Sequence, residues 1–233
     1  MSNLRAMTVN EILIELKSLS TADHFAKLAH FGINNEKALG IKTPLLRQLA
    51  KKIGRNHFLA FDLWQTDILE ARMLASMIED SDSINENQFD NWVNDFDSWA
   101  ICDQSCSILG QTQFSLKKIN EYSTRSEVYV KRTAFVLICE QAVHHKNVDN
   151  EQFYQFLKII EREAWDDRNF VRKAVNWALR QIGKRNEILR LKAIETGERI
   201  LLQKTKTACW IAKDALRELN SPEVMTRTFN KRK

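Results

Sequence analysis

The sequence predicts an all-α protein, and three observations carry that expectation. Apolar residues recur at helical spacing along the chain, with no convincing two-residue alternation that would mark strands. The 233 residues hold only six Gly and two Pro, too few for a turn-rich β-sandwich or a long disordered tail. Helical segments also echo one another at intervals of roughly 30 to 40 residues, which points to stacked helix pairs.

Taken in chain order, the elements are separated by recognisable breaks. These fall at Gly40 to Pro44, Gly54, Gly110, the Asn147–Asn150 stretch, Gly183, and Asn220 to Pro222. A helix capped by Asp97 or Ser98 should carry Trp99 and Asp103 one turn apart. The helix over 128–143 is apolar on nearly all sides. Val130, Ala134, Leu137 and Ile138 form one face, and Phe135, Val136, Cys139 and Val143 another. Phe153, Phe156, Leu157 and Ile160 form a stripe in the next segment. In 170–182, Val171, Ala174, Val175, Ala178, Leu179 and Ile182 make one continuous apolar stripe.

The repeat is clearest between VYVKRTAFVL at 128–137 and NFVRKAVNWAL at 169–179, which place Val130 and Val171 41 residues apart. Weaker echoes lie near Leu69, Ile101 and Ile211. This spacing predicts a HEAT-like solenoid of antiparallel helix pairs with a concave groove, forming a single domain over 1–233. An irregular helical bundle is the competing architecture. The 44% apolar content supports a substantial core in either case.

Charge is unevenly distributed. Residues 1–116 carry ten basic and fifteen acidic side chains, whereas residues 117–233 carry twenty-five basic and fifteen acidic. The net +5 therefore combines a −5 half with a +10 half. A basic half suits a polyanion, nucleic acid before anionic membrane; a merely solvated Lys-rich surface is the alternative. No apolar run approaches the roughly eighteen residues needed to span a bilayer. The start, MSNLRAMTVNEILIEL, lacks the charged-then-apolar order of a signal peptide. Cys102, Cys106, Cys139 and Cys209 show no CxxC or zinc spacing, so a reduced, cytoplasmic chain is expected.

Three positions break the packing pattern. Opposite the stripe of 170–184 stand Lys173, Trp177, Arg180 and Lys184, an indole among cations. Cations on phosphates with the ring on sugar or base is one reading; packing of Trp177 on a neighbouring helix is the other. Arg132 projects from the apolar helix 128–143 and needs a carboxylate or phosphate, because an unpaired buried guanidinium costs several kcal/mol. A structural salt bridge and a functional role are both open for it. Asp103, beside Trp99, can hold a cationic group, or answer Arg132 as a structural partner, or both. His24, His30, His57, His144 and His145 show no HExxH, and neither a phosphate-cradling Gly loop nor a GxSxG turn occurs. His144 and His145 fit a helix end, and Asp166–Asp167 fit the cap of the helix that follows.

LGIKTPLLRQLAK at 39–51, SWAICDQ at 98–104, YVKRTAF at 129–135 and FVRKAVNWALRQIGK at 170–184 follow in order on this helical background. Together they resemble the AlkD-type alkylpurine DNA glycosylases, the HEAT-like DNA alkylation repair family, over about Leu39 to Leu219. The resemblance implies excision of cationic purines alkylated at N3 or N7 from duplex DNA, with the lesion left stacked. It places the catalytic carboxylate on Asp103, the cleft tryptophans on Trp99 and Trp177, and the cleft arginine on Arg132. Lys131, Arg172, Lys173, Arg180 and Lys184 are then candidate phosphate contacts. A cationic base leaves as a neutral molecule and needs no general acid, so a carboxylate facing an oxocarbenium-like sugar suffices. The expected partner is alkylated double-stranded DNA, bound by a monomer with no cofactor, metal, membrane or obligate protein partner. The competing functions are a non-catalytic module for damaged or branched DNA, and a protein-interaction scaffold.

Overall fold

Capping and spacing place fourteen α-helices, and no strand, in the computed structural model, which describes residues 7–230. The first six residues of the mixed N-terminal stretch lie outside the described residues. Backbone contacts divide the chain into two compact units, Met1–Thr112 and Gln113–Lys233. The division coincides with the change from the acidic to the basic part of the sequence.

The first unit contains α1 (Val9–Leu19), α2 (Ala22–His30), α3 (Thr43–Ile53), α4 (His57–Trp64), α5 (Leu69–Ile78), α6 (Glu86–Asn94) and α7 (Trp99–Leu109). A reciprocal capping box between Thr8 and Glu11 starts α1. Pro44 sits in the first turn of α3, and Gly54, at φ +78°, ends it. Helices α3, α5 and α7 pack side by side, with α4 and α1 against α5. The Trp64 and Trp92 rings stack at 4.0 Å in the core of this unit.

The loop before α3 is held by a buried acid. Glu70, on α5, accepts backbone N–H bonds from Leu39, Gly40 and Ile41 at 2.7, 2.7 and 3.1 Å. Gly40 has φ +76°, and a Cβ there would lie 2.6 Å from Phe25. Only glycine fits both the left-handed backbone and that close approach.

The second unit contains α8 (Ser115–Ser123), α9 (Val128–His144), α10 (Asn150–Glu163), α11 (Asn169–Gly183), α12 (Glu187–Leu201), α13 (Lys206–Leu219) and α14 (Pro222–Phe229). Helices α9, α11 and α13 form one row, and α8 and α12 pack beside that row, with α10 against α12 and α11. The six stripe residues of α11 are fully buried, as are Phe153, Phe156 and Ile160 of α10. Helix α9 is buried on nearly every side. Gly183 closes α11 where a Cβ would meet Leu219 of α13 at 2.5 Å, so small size there lets the two helices approach.

One capping expectation is corrected, and the other holds in position only. Arg168, not an aspartate, occupies the N-cap of α11, and no side chain bonds there. Asp166 instead turns inward, accepting from the Arg168 backbone N–H at 3.2 Å and from its guanidinium. Ser98 is the N-cap of α7, but its hydroxyl makes no capping bond and is buried without a partner. Cys102, Cys106 and Cys139 are buried and Cys209 is half-buried.

Candidate nucleic-acid interface

In the first unit, α7 buries Ile101, Cys102, Ser105, Cys106, Ile108 and Leu109 and leaves Trp99, Asp103 and Ser107 part-exposed. These three positions are successive i, i+4 neighbours, so they share one helix face. The Trp99 indole N–H donates to the Phe31 carbonyl at 2.9 Å, which fixes the ring at the start of the helix. Asp103 is half-buried, one turn further along. The arrangement presents an anion beside an anchored aromatic ring, suited to a positively charged group.

Beside this face, α3, α5 and α7 enclose an open hollow of about 400 Å³. Arg47, Lys51 and Arg55 line it together with Gln104, Ser107 and Gln111, and no acidic side chain does. Arg47 and Lys51 are exposed and one turn apart. Arg55 reaches the Glu79 carbonyl. Sequence reasoning missed this group because the net charge of the first half is negative. The spacing of Arg47 and Lys51 against Leu46 and Leu49 was the signal available. Much of the acid in this unit is engaged elsewhere: Glu70 holds the loop, Glu79 pairs with His57 at 2.8 Å, and Asp95 with Arg72 at 3.3 Å.

In the second unit, Lys173 and Trp177 occupy the outer strip of α11 with Arg180 and Lys184. Lys173 is exposed and has no ion-pair partner among the described residues. Arg180 meets Asp214 at 3.2 Å and Glu218 at 2.5 Å, and Lys184 meets Glu218 at 2.8 Å. Helix α13 thus answers two of the three cations, and the charge of those two is largely balanced before any ligand arrives. Arg172 leaves the strip sideways, its guanidinium 5.0 Å from the centre of the Trp210 ring.

The residue profile described as "DNA alkylation repair enzyme" matches residues 12–219. The chain belongs to this family. Comparison with curated proteins finds no match. A solved structure described as "a new family of proteins related to the HEAT-like repeat DNA glycosylases with affinity for branched DNA structures" is similar in fold. It superposes with a TM-score of 0.75 at 19% identity, covering 83% of each chain. The all-helical HEAT-like architecture read from the repeats is therefore the observed fold.

The two remaining candidates both lie on α9 and are buried. Arg132 is 6% exposed, and its Nη1 donates to the Phe170 carbonyl at 2.6 Å. Its guanidinium therefore holds the first turn of α11, the helix that carries Trp177. Lys131, expected on a phosphate, is corrected to a structural role. It is 3% exposed, with its ammonium 2.7 Å from Glu163, 2.9 Å from Asp166 and 4.8 Å from the centre of the Trp165 ring. A buried ammonium between two carboxylates has its charge already matched within the protein. Burial alone would push the Asp166 carboxyl up, but hydrogen bonds from Arg168 and Lys131 outweigh it and hold the group at about 2. Among the described residues, no group of three or more His, Cys, Asp and Glu could hold a metal ion, and no helix is long and apolar enough to cross a membrane.

Proposed function

We propose that this member of the DNA alkylation repair family hydrolyses the N-glycosidic bond of cationic N3- or N7-alkylated purines in duplex DNA. The observation that carries this reading is Asp103 on α7, half-buried one turn after a tryptophan whose ring is anchored by its own N–H. An alkylated purine carries its positive charge into the reaction and departs as a neutral base. The charge then moves to the deoxyribose, whose C1′ gains oxocarbenium character. A carboxylate fixed near that carbon stabilises the cation, and it can orient the water that adds to C1′ and take up its proton. The electron-rich face of Trp99, one turn before Asp103, favours the same charge. Arg132 acts as a positioning residue, through the start of α11. Arg47, Lys51 and Lys173 are the solvated cations best suited to phosphates. A monomer working in the cytoplasm, on the nucleoid, fits this assignment.

The test is release of 7-methylguanine and 3-methyladenine from methylated DNA by the parent protein and by Asp103→Asn. The parent should release both above the spontaneous rate. The variant should lose release while binding DNA equally or more tightly, since a negative charge is gone. Absence of release by the parent ends the catalytic assignment. The solved relative's affinity for branched DNA favours one second reading, a non-catalytic module for damaged or branched DNA. It predicts salt-sensitive binding that Asp103→Asn leaves unchanged.

A further inference from the structure

We propose that the outer face of α13 binds an unpaired DNA strand, with the Trp210 indole stacking on a nucleobase and Lys206 and Lys213 on its phosphates. The helix buries Ala208, Ile211, Ala212, Ala215 and Leu219 and so turns Lys206, Trp210, Lys213 and Arg217 to solvent at i, i+4, i+7 and i+11. An open hollow of about 410 Å³ lies among these side chains. A tryptophan 39% exposed in a row of cations has no packing explanation on its own helix. Its ring is nonetheless held, because the Arg172 guanidinium rests against it at 5.0 Å. The Nε of Arg172 is buried there without a hydrogen-bond partner, so the ring contact is part of what keeps that side chain in place.

The charges around the ring point the same way. Asp214, the one acid in the hollow, is engaged by Arg180 and Arg217. Lys206 and Lys213 are exposed, with no ion-pair partner among the described residues. Cations alone would suit any polyanion. A supported indole face between them adds a surface for a flat aromatic group, and in a duplex the base faces are already covered by their neighbours. An unpaired strand offers both features at the right scale, phosphate charge and a free base face.

This site rests on the DNA-binding part of the proposed function but not on base release. The experiment compares binding of the full chain, at low salt, to a labelled oligothymidylate and to an abasic sugar-phosphate strand of equal length. A blunt duplex serves as a third probe. The wild type should prefer the thymidylate about tenfold, the order of one base–aromatic stack. Trp210→Leu should abolish that preference while leaving the abasic and duplex affinities in place, and Trp210→Phe should restore most of it. Lys206→Ala and Lys213→Ala should weaken both single strands alike. Equal wild-type affinity for the two strands overturns the proposal, whatever the variants do, and so does a preference that survives in a folded Trp210→Leu. Base release from methylated duplex without any thymidylate preference would sink this inference alone. Thymidylate preference without base release would sink only the catalytic assignment.

Discussion

Replacing Lys131 with Met separates a structural cation from a DNA-binding one. The ammonium lies 2.7 and 2.9 Å from two carboxylates in the interior of the second unit. Methionine fills similar volume but leaves Glu163 and Asp166 facing each other without the charge between them. Removing one partner from a buried ion pair costs about 3–5 kcal/mol. Arg162 still meets Glu163 at 2.5 Å and Arg168 still meets Asp166 at 2.6 Å, which places the loss near 3 kcal/mol. For a chain of this length each kcal/mol moves the melting temperature by about 2–4 °C, so a fall of roughly 6–12 °C is expected in a thermal melt. DNA binding measured below the transition should keep its affinity and its salt dependence. Lys173→Ala should behave oppositely, melting with the wild type but lowering the slope of log affinity against log salt by about 0.9, one phosphate contact. A Lys131→Met protein that melts like the wild type yet binds DNA with a shallower salt slope would refute the assignment.

Three further outcomes follow from the same contacts. The Asp166 carboxyl sits at about 2 in the folded chain against 3.8 unfolded, so its contribution of about 2 kcal/mol is complete above roughly pH 5 and fades as pH falls through 2. Urea titrations should show Asp166→Asn clearly less stable than the parent at pH 6, with the gap closing near pH 2.5. Gly40→Ala should cost at least about 2 kcal/mol in the same titration, because a side chain would be forced into a positive φ against Phe25. Glu70→Gln weakens three charge-assisted backbone bonds and should raise amide exchange at Leu39, Gly40 and Ile41 before it affects the rest of the first unit.

Most of the helical framework was legible because it is written in local spacing. The stripe of α11 and the breaks at Gly54, Gly110 and Asn220 needed only helical periodicity and terminator chemistry. Candidate residues were legible for a related reason: Trp177 and Arg132 stand where their own helices do not call for them. Caps were less so. Asp166 looks like a cap by its place before a helix, but Lys131, 35 positions earlier, draws it inward. Likewise Trp210 is 39% exposed and its contact with Arg172 joins two helices of the row, which the spacing of neither helix shows.

The sequence by itself determined the helical periodicity, the repeat and the excess of positive charge in the second half. Periodicity and composition are local or additive properties, and no long-range contact alters them. Only the tertiary structure decided which cations are free to meet a phosphate. Lys131 and Lys173 are two lysines on adjacent helices, equal in composition, yet one is neutralised in the interior and the other is open to solvent. The electrostatic value of a charge depends on its burial and on the partners that other helices bring to it, and neither quantity is contained in any single segment of the chain.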